Sequence, residues 1–422
     1  MRLPAFTFAA FALLLSACQR TSAPPRPANG DYAVQTWVLP AEAGSMAPAL
    51  VAGPGGRVLL GWINRREGRR NALQFASYTE ADGWQSQPRT IAIGNALQAN
   101  AADPPHLLAT PDGALWAQWV QTQPDAAGGT DVVLARSKDG GMAWEQITRV
   151  NTDGMPTEHG FAALWADGSD GAGVAWLDGR GKRPAPPHGA ATGAHDEGEG
   201  DMQLRANRFT LDLARGSDAV VDVRSCDCCQ VAVALTRRGP LLAWRDRDAN
   251  EVRDIATARY QQGAWTAPRI AHADGWKVEG CPVNGPALAA HDANVALAWY
   301  SEGSGQPAVY LARSQDAGDQ FDPPVTVAAG PNVLGRPAVA LDARQVWVAW
   351  LEQADRGQRL QLARYAPDLS RRLQTLTLAT LATRGLASGY PRLVVDEGGA
   401  WLAWTDVDAS GVAHLKGARV AR

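Results

Sequence analysis

The stretch Ala47–Trp62, APALVAGPGGRVLLGW, is an apolar run, a Pro-Gly-Gly turn and a second apolar run ending in tryptophan. Apolar runs bracketing such a turn predict a β-hairpin. The same pattern returns as PPHLLATPDGALWAQW to Trp119, HGFAALWADGSDGAGVAW to Trp176 and CQVAVALTRRGPLLAW to Trp244. It returns again as GPALAAHDANVALAW to Trp299, RPAVALDARQVWVAW to Trp350 and YPRLVVDEGGAWLAW to Trp404. These closing tryptophans lie 57, 57, 68, 55, 51 and 54 residues apart. A recurring period of this size marks a repeat architecture, whose units bury their apolar faces against one another.

Further strand pairs lie between the copies, such as DVVLARSKDGGMAWEQITRV (Asp131–Val150) and AVYLARSQDAGDQFDPPVTV (Ala308–Val327). Each unit thus supplies about four short strands, the content of one propeller blade. The fold expected is an all-β, seven-bladed β-propeller over residues 31–422, with six blades and a divergent hairpin as the alternative. The seventh unit runs out one strand short, after VAHLKGARVAR, while YAVQTWVLP (Tyr32–Pro40) precedes the first unit as an extra strand. Pairing the two closes the ring and removes its free edges. The one long interval holds a polar insertion, Gly179–Asp201, with His188, His195, Asp196, Glu197, Glu199 and Asp201 as a second metal-binding candidate or a solvated lid.

Two turns are sharper. SKDGGMAW (Ser137–Trp144) and SQDAGDQF (Ser314–Phe321) both fit Ser-x-Asp-x-Gly-x-x-aromatic. In such a turn the Ser and Asp side chains bond backbone amides, Gly takes a positive φ and the aromatic packs beneath. The motif resembles the Asp-box of sialidase-like (BNR-repeat) propellers, which sits between a blade's third and fourth strands and is remote from catalysis. The resemblance implies the fold; it does not by itself imply an activity. Sialidases grip a substrate carboxylate with three arginines and use a tyrosine nucleophile with an aspartate acid/base. Here SMAPAL has Met46 and Ala47 where the first-blade arginine belongs, although Arg336, Tyr390 and Arg392 stand in comparable places in late units.

The chain opens MRLPAFTFAAFALLLSACQR, a basic residue and an apolar run too short to span a bilayer permanently. Leu15–Cys18, LSAC, resembles a bacterial lipobox. The resemblance implies a signal peptide over 1–17, acylation of Cys18 and a flexible tether over 18–30, and Gln19 favours the outer membrane, facing periplasm or cell surface. Anchoring through the lipid bilayer is then expected, in a monomer. The formal charge of −3 argues against a nucleic-acid partner.

Alignment on the closing tryptophans puts His159, the run Cys226-Asp-Cys228-Cys229 and Cys281 just ahead of the first strands of units three, four and five. A shared pocket over those blades is the expectation, since strand entrances form a propeller's ligand-binding mouth. Arg180, Arg245, Arg247, Asn284, Arg336, Tyr390 and Arg392 join His159 as ligand-binding candidates, and Glu158, Asp178 and Asp246 are the acid/base candidates. With Cys18 set aside, four cysteines in an oxidising compartment predict disulfides, Cys281 bridging to one member of the cluster. The alternatives are a Cu or Zn site built from the same thiolates and a redox dithiol. Function is expected to be binding of a polar or anionic ligand, glycan or protein, at the channel mouth. The alternatives are a glycoside hydrolase of sialidase-like type on an anionic carbohydrate and a copper- or zinc-binding periplasmic protein.

Overall fold

The computed structural model describes residues 30–182 and 200–422, apart from positions 66, 67, 69, 86, 125 and 127. Cys18, the signal peptide and most of the polar insertion, including His188, His195, Asp196, Glu197 and Glu199, lie outside the described residues. The described residues form seven antiparallel sheets and no α-helix. Innermost strands in blade order are Ser45–Gly53, His106–Ala109, His159–Asp167, Ala232–Thr236, Ala287–His291, Val333–Leu341 and Gly389–Asp396. Each contacts the next, and the seventh returns to the first, so the ring closes at seven blades rather than six.

Closure follows the expected route. Ala33–Trp37 pairs antiparallel with Ala413–Ala421 and becomes the outer strand of blade seven. Trp37 is thereby buried between Trp84 and Tyr78 of blade one and Trp401 of blade seven, with ring centroids 4.9–5.3 Å apart. The seven closing tryptophans all lie on second strands and all are buried. Second strands are flanked by sheet neighbours and covered on both faces by adjacent blades. Gly171–Asp178 is accordingly buried at every position, and its sequence reads as a continuous apolar run as far as Leu177.

Both Ser-x-Asp turns have the expected geometry. Ser137 Oγ accepts the Gly141 N–H at 2.8 Å and Asp139 accepts those of Met142 and Ala143. Gly141 has φ +82°, and a Cβ there would meet the Phe75 ring at 2.1 Å, so conformation and space both require glycine. Ser314 and Asp316 repeat the pattern. These turns lie at the end of the ring opposite the entrances of the inner strands.

Candidate functional site

At the entrance of four inner strands the pairing register slips. The breaks fall between Met46 and Ala49, Gly160 and Ala163, Gly335 and Ala338, and Gly389 and Arg392. Within each break stands a non-glycine residue at positive φ: Ala47 (54°), Phe161 (49°), Arg336 (52°) and Tyr390 (53°). Proline follows three of the four, at Pro48, Pro337 and Pro391, where the ladder needs no N–H donor. A bulge adds an unpaired residue and re-aims side chains, here toward the axis. Holding bulky residues at positive φ costs about 1–2 kcal/mol each, a strain that clusters at functional sites.

The result is an axial channel of about 270 Å³ lined by the inner strands of all seven blades. Its polar lining is His106, Gln230, Arg336, Tyr390 and Arg392. Gln230 spans the mouth, donating to Ala102 O at 2.7 Å and accepting the Gly285 N–H at 2.9 Å. Arg336 lies over the Tyr390 ring, 4.7 Å from its centroid, and donates to Gly385 O and Ser388 O. Asn284 fixes that loop, accepting the Arg336 backbone N–H at 2.6 Å and donating to Leu334 O at 3.0 Å. Arg392 makes one long bond, 3.3 Å to Pro48 O. Among the described residues neither Arg336 nor Arg392 forms an ion pair.

Burial dominates the electrostatics. It lowers the Arg392 guanidinium to about 10, against the pull of Asp103 and Tyr390, and lowers Arg336 as well. Burial, helped by Arg392, takes His106 down to about 3, so it is neutral. Tyr390 is pushed up to about 12 by burial. Asp103, at the entrance of blade two, is raised to about 7 by burial, a Phe161 N–H bond opposing, and its Oδ1 has no protein partner. An acid raised in the folded state stabilises it below the unfolded value of 3.8, and that contribution is lost as pH rises through about 7. Asp103→Asn is therefore expected to flatten the fall in urea stability between pH 5 and pH 8, by up to about 3 kcal/mol. An unchanged slope would remove Asp103 from this account. Asp246, also raised to about 7, leaves a residual slope in the variant.

The residues expected over blades three to five are brought near one another, but several are enclosed. His159 is fully buried, with Nδ1 bonded to Thr130 O at 2.8 Å and Nε2 to Asp153 at 3.0 Å, and it presents no face to a ligand. Asp178 is fully buried beneath the Trp176 indole and a bidentate Arg180, both contacts at 2.7 Å. Burial raises its carboxyl, but Arg180 and His159 outweigh this and hold it below the usual range, which does not suit a general acid. Arg180 also reaches Asp153 at 3.0 Å, so a guanidinium already engages both carboxylates of the Asp153–His159–Asp178 donor group. Arg245 is buried and spends its donors on Asn284 O, Arg253 O and Tyr300 O rather than on solvent. Arg247 forks onto Glu251 and reaches Asp227.

Asp246 is half-buried and hydrogen-bonded to Asp222; burial and then that carboxylate raise it. Two carboxyl groups in direct contact leave no room for a sugar ring or water between them, unlike a hydrolytic pair about 5–9.5 Å apart. Glu158 is exposed at the rim and raised, chiefly by the walls around it, with Lys182 opposing. The Cys228 and Cys281 sulfurs are at bonding distance, 2.21 Å, while those of Cys226 and Cys229 lie 3.1 Å apart and buried. Arg253 stands 3.4 Å from Cys226 Sγ, with Arg245 also adding positive charge. Two guanidiniums beside the sulfurs disfavour a Cu or Zn ion there. Asp103 was not singled out from sequence, although ADPPH precedes unit two as EHGF precedes unit three. A larger groove, about 550 Å³, runs along the closing strand; the mixed signs of Glu42, Asp406, His414 and Lys416 single out no ligand charge.

No protein-family model matches the sequence, and no curated protein matches it. Among solved structures, a protein of unknown function from Dyadobacter fermentans DSM 18053 is similar, with a TM-score of 0.50 and 15% identity, over 90% of this chain and 95% of that one. The phage phi92 endosialidase gives a TM-score of 0.49 at 10% identity, over 93% of this chain and 69% of that one. An ulvan lyase gives 0.44 at 12% identity, over 78% and 77%. At such identities the likeness is one of fold.

Proposed function

We propose that the protein is a lipid-anchored propeller that binds an anionic glycan at the axial channel mouth through Arg336 and Arg392. The observation that carries this is the pair of desolvated guanidiniums from adjacent blades that form no ion pair among the described residues, the nearby Asp103 carboxyl keeping its proton to about pH 7. Leaving buried cations unpaired is costly, and a ligand carboxylate offsets that cost through a planar, bidentate contact. Tyr390 supplies an aromatic surface beside them, and Gln230 and Asn284 fix the loops around the mouth. The centre of the reading is therefore the axis toward blades six and seven, with Glu158 and Arg247 at its far rim. Cys18 would hold the ring to an outer membrane by the face opposite this mouth, because Ala33 pairs with Ala421 at the far end of blade seven.

The test is calorimetric titration with uronate- and N-acetylneuraminate-containing oligosaccharides beside carboxyl-reduced counterparts. Binding is expected only for the acidic members, weakening with salt. Equal affinity for the reduced sugars would sink the proposal. A hydrolytic reading has one supporting feature, the Asp103 carboxyl that keeps its proton to about pH 7 close to the ligand-facing Arg392. Against it, burial raises the Tyr390 hydroxyl rather than activating it. Release of reducing ends from the same oligosaccharides distinguishes the two.

A further inference from the structure

The four cysteines of blades four and five are sorted by depth. Cys281 is exposed and Cys228, opposite it, is partly buried, while Cys226 and Cys229 are 1% and 2% exposed. The sulfurs of Cys226, Cys228 and Cys229 all lie within 4.8 Å of one another, and Cys226 and Cys229 are 3.1 Å apart. An inner dithiol thus sits directly behind an outer bonded pair. We propose that these cysteines form a two-stage thiol–disulfide relay, in which the buried Cys226–Cys229 pair is oxidised through the surface Cys228–Cys281 disulfide.

Each step balances. The Cys226 thiolate attacks Cys228 Sγ; a Cys226–Cys228 bond forms, the Cys228–Cys281 bond breaks, and Cys281 leaves as a thiolate that takes a proton from solvent. Cys229, losing its proton, then attacks Cys226 Sγ and expels the Cys228 thiolate. One disulfide has moved inward and no electron has left the protein. The exposed Cys228/Cys281 dithiol is reoxidised by an external disulfide, low-molecular or protein-borne, which is reduced to two thiols. The surroundings assign the roles. Cys226 is lowered to about 6 by its hydrogen bond from Cys229, with Arg245 and Arg253 assisting against burial. Cys229 is raised by burial and keeps its proton until the second step. A nucleophilic thiolate paired with a protonated resolving thiol is the division of labour that exchange needs.

The test starts from the fully reduced full-length protein, adds glutathione disulfide, and follows each cysteine by acid quench, alkylation and peptide mapping. In wild type, both pairs are expected to become resistant to alkylation. With Cys228→Ala/Cys281→Ala, closure of the inner pair should slow by at least about tenfold, because glutathione cannot reach buried sulfurs. A matching tryptophan-fluorescence melt establishes that the variant folds. Cys229→Ser gives an independent readout, since loss of the resolving thiol should trap a Cys226–Cys228 crosslink with Cys281 alkylated. The relay is overturned if the inner pair closes equally fast without the outer one. It is overturned too if Cys226 and Cys229 stay alkylatable beside an intact outer bridge, or if they hold stoichiometric copper or zinc.

Discussion

Arg392→Met is expected to weaken binding of the acidic oligosaccharides about a hundredfold, a loss of about 3 kcal/mol, while its urea midpoint stays level or rises. The two halves of this result have one cause. Arg392 is a guanidinium in the channel wall, depressed to about 10 by burial and still charged at neutral pH, with one long bond to Pro48 O. Such a cation costs the apo protein desolvation that no carboxylate contact repays, so an apolar replacement of similar volume is tolerated or stabilising. The ligand carboxylate would supply the missing partner, and removing the arginine removes that contact whole. A residue that serves only the fold would lose stability on the same substitution. Asp103 offers an internal control: without the nearby positive charge its carboxyl should rise above about 7. Stability and binding falling together would assign Arg392 to the scaffold.

The wheel was legible in the sequence because its signals are local and repeated. A buried tryptophan at the end of each second strand, a turn before it and the interval between copies need no tertiary information. The displaced first strand was legible too, because a missing strand at one end and a spare one at the other have few other readings. The site was less so. Whether a strand-end charge meets solvent or an internal carbonyl depends on a one-residue slip, and an irregular entrance sets that slip. WLDGR and WRDR resemble solvated ends in sequence, yet Asp178 and Arg245 point inward. Late-blade residues Arg336, Tyr390 and Arg392 were recognisable only as possible counterparts of a family pattern. Bulges at Gly335–Ala338 and Gly389–Arg392 bring them to the axis, and neither bulge has a sequence signature beyond the following proline.

Arg245 shows what that inward turn does for the fold, and Arg245→Ala is expected to be the most damaging single substitution among the charged residues considered above. The guanidinium is 1% exposed and donates to Asn284 O twice, at 3.1 and 2.8 Å, and to Arg253 O and Tyr300 O at 2.7 Å. Its carbon also lies 4.7 Å from the Trp276 ring centroid. Truncation leaves three carbonyls without these donors and opens a cavity, which together should cost about 3–5 kcal/mol in urea unfolding. Arg245→Lys should recover little, because a single ammonium cannot span the same three acceptors with the fork's geometry. The loss also travels. Asn284, clamped by Arg245 through its carbonyl, holds the Arg336 backbone N–H and Leu334 O with its side chain. Below its denaturation midpoint, the variant should therefore bind acidic oligosaccharide about tenfold more weakly, through misplacement of Arg336 rather than loss of a contact. Urea melts of the alanine and lysine variants with parallel titrations decide the matter: wild-type stability in either variant would show that these carbonyls do not need Arg245.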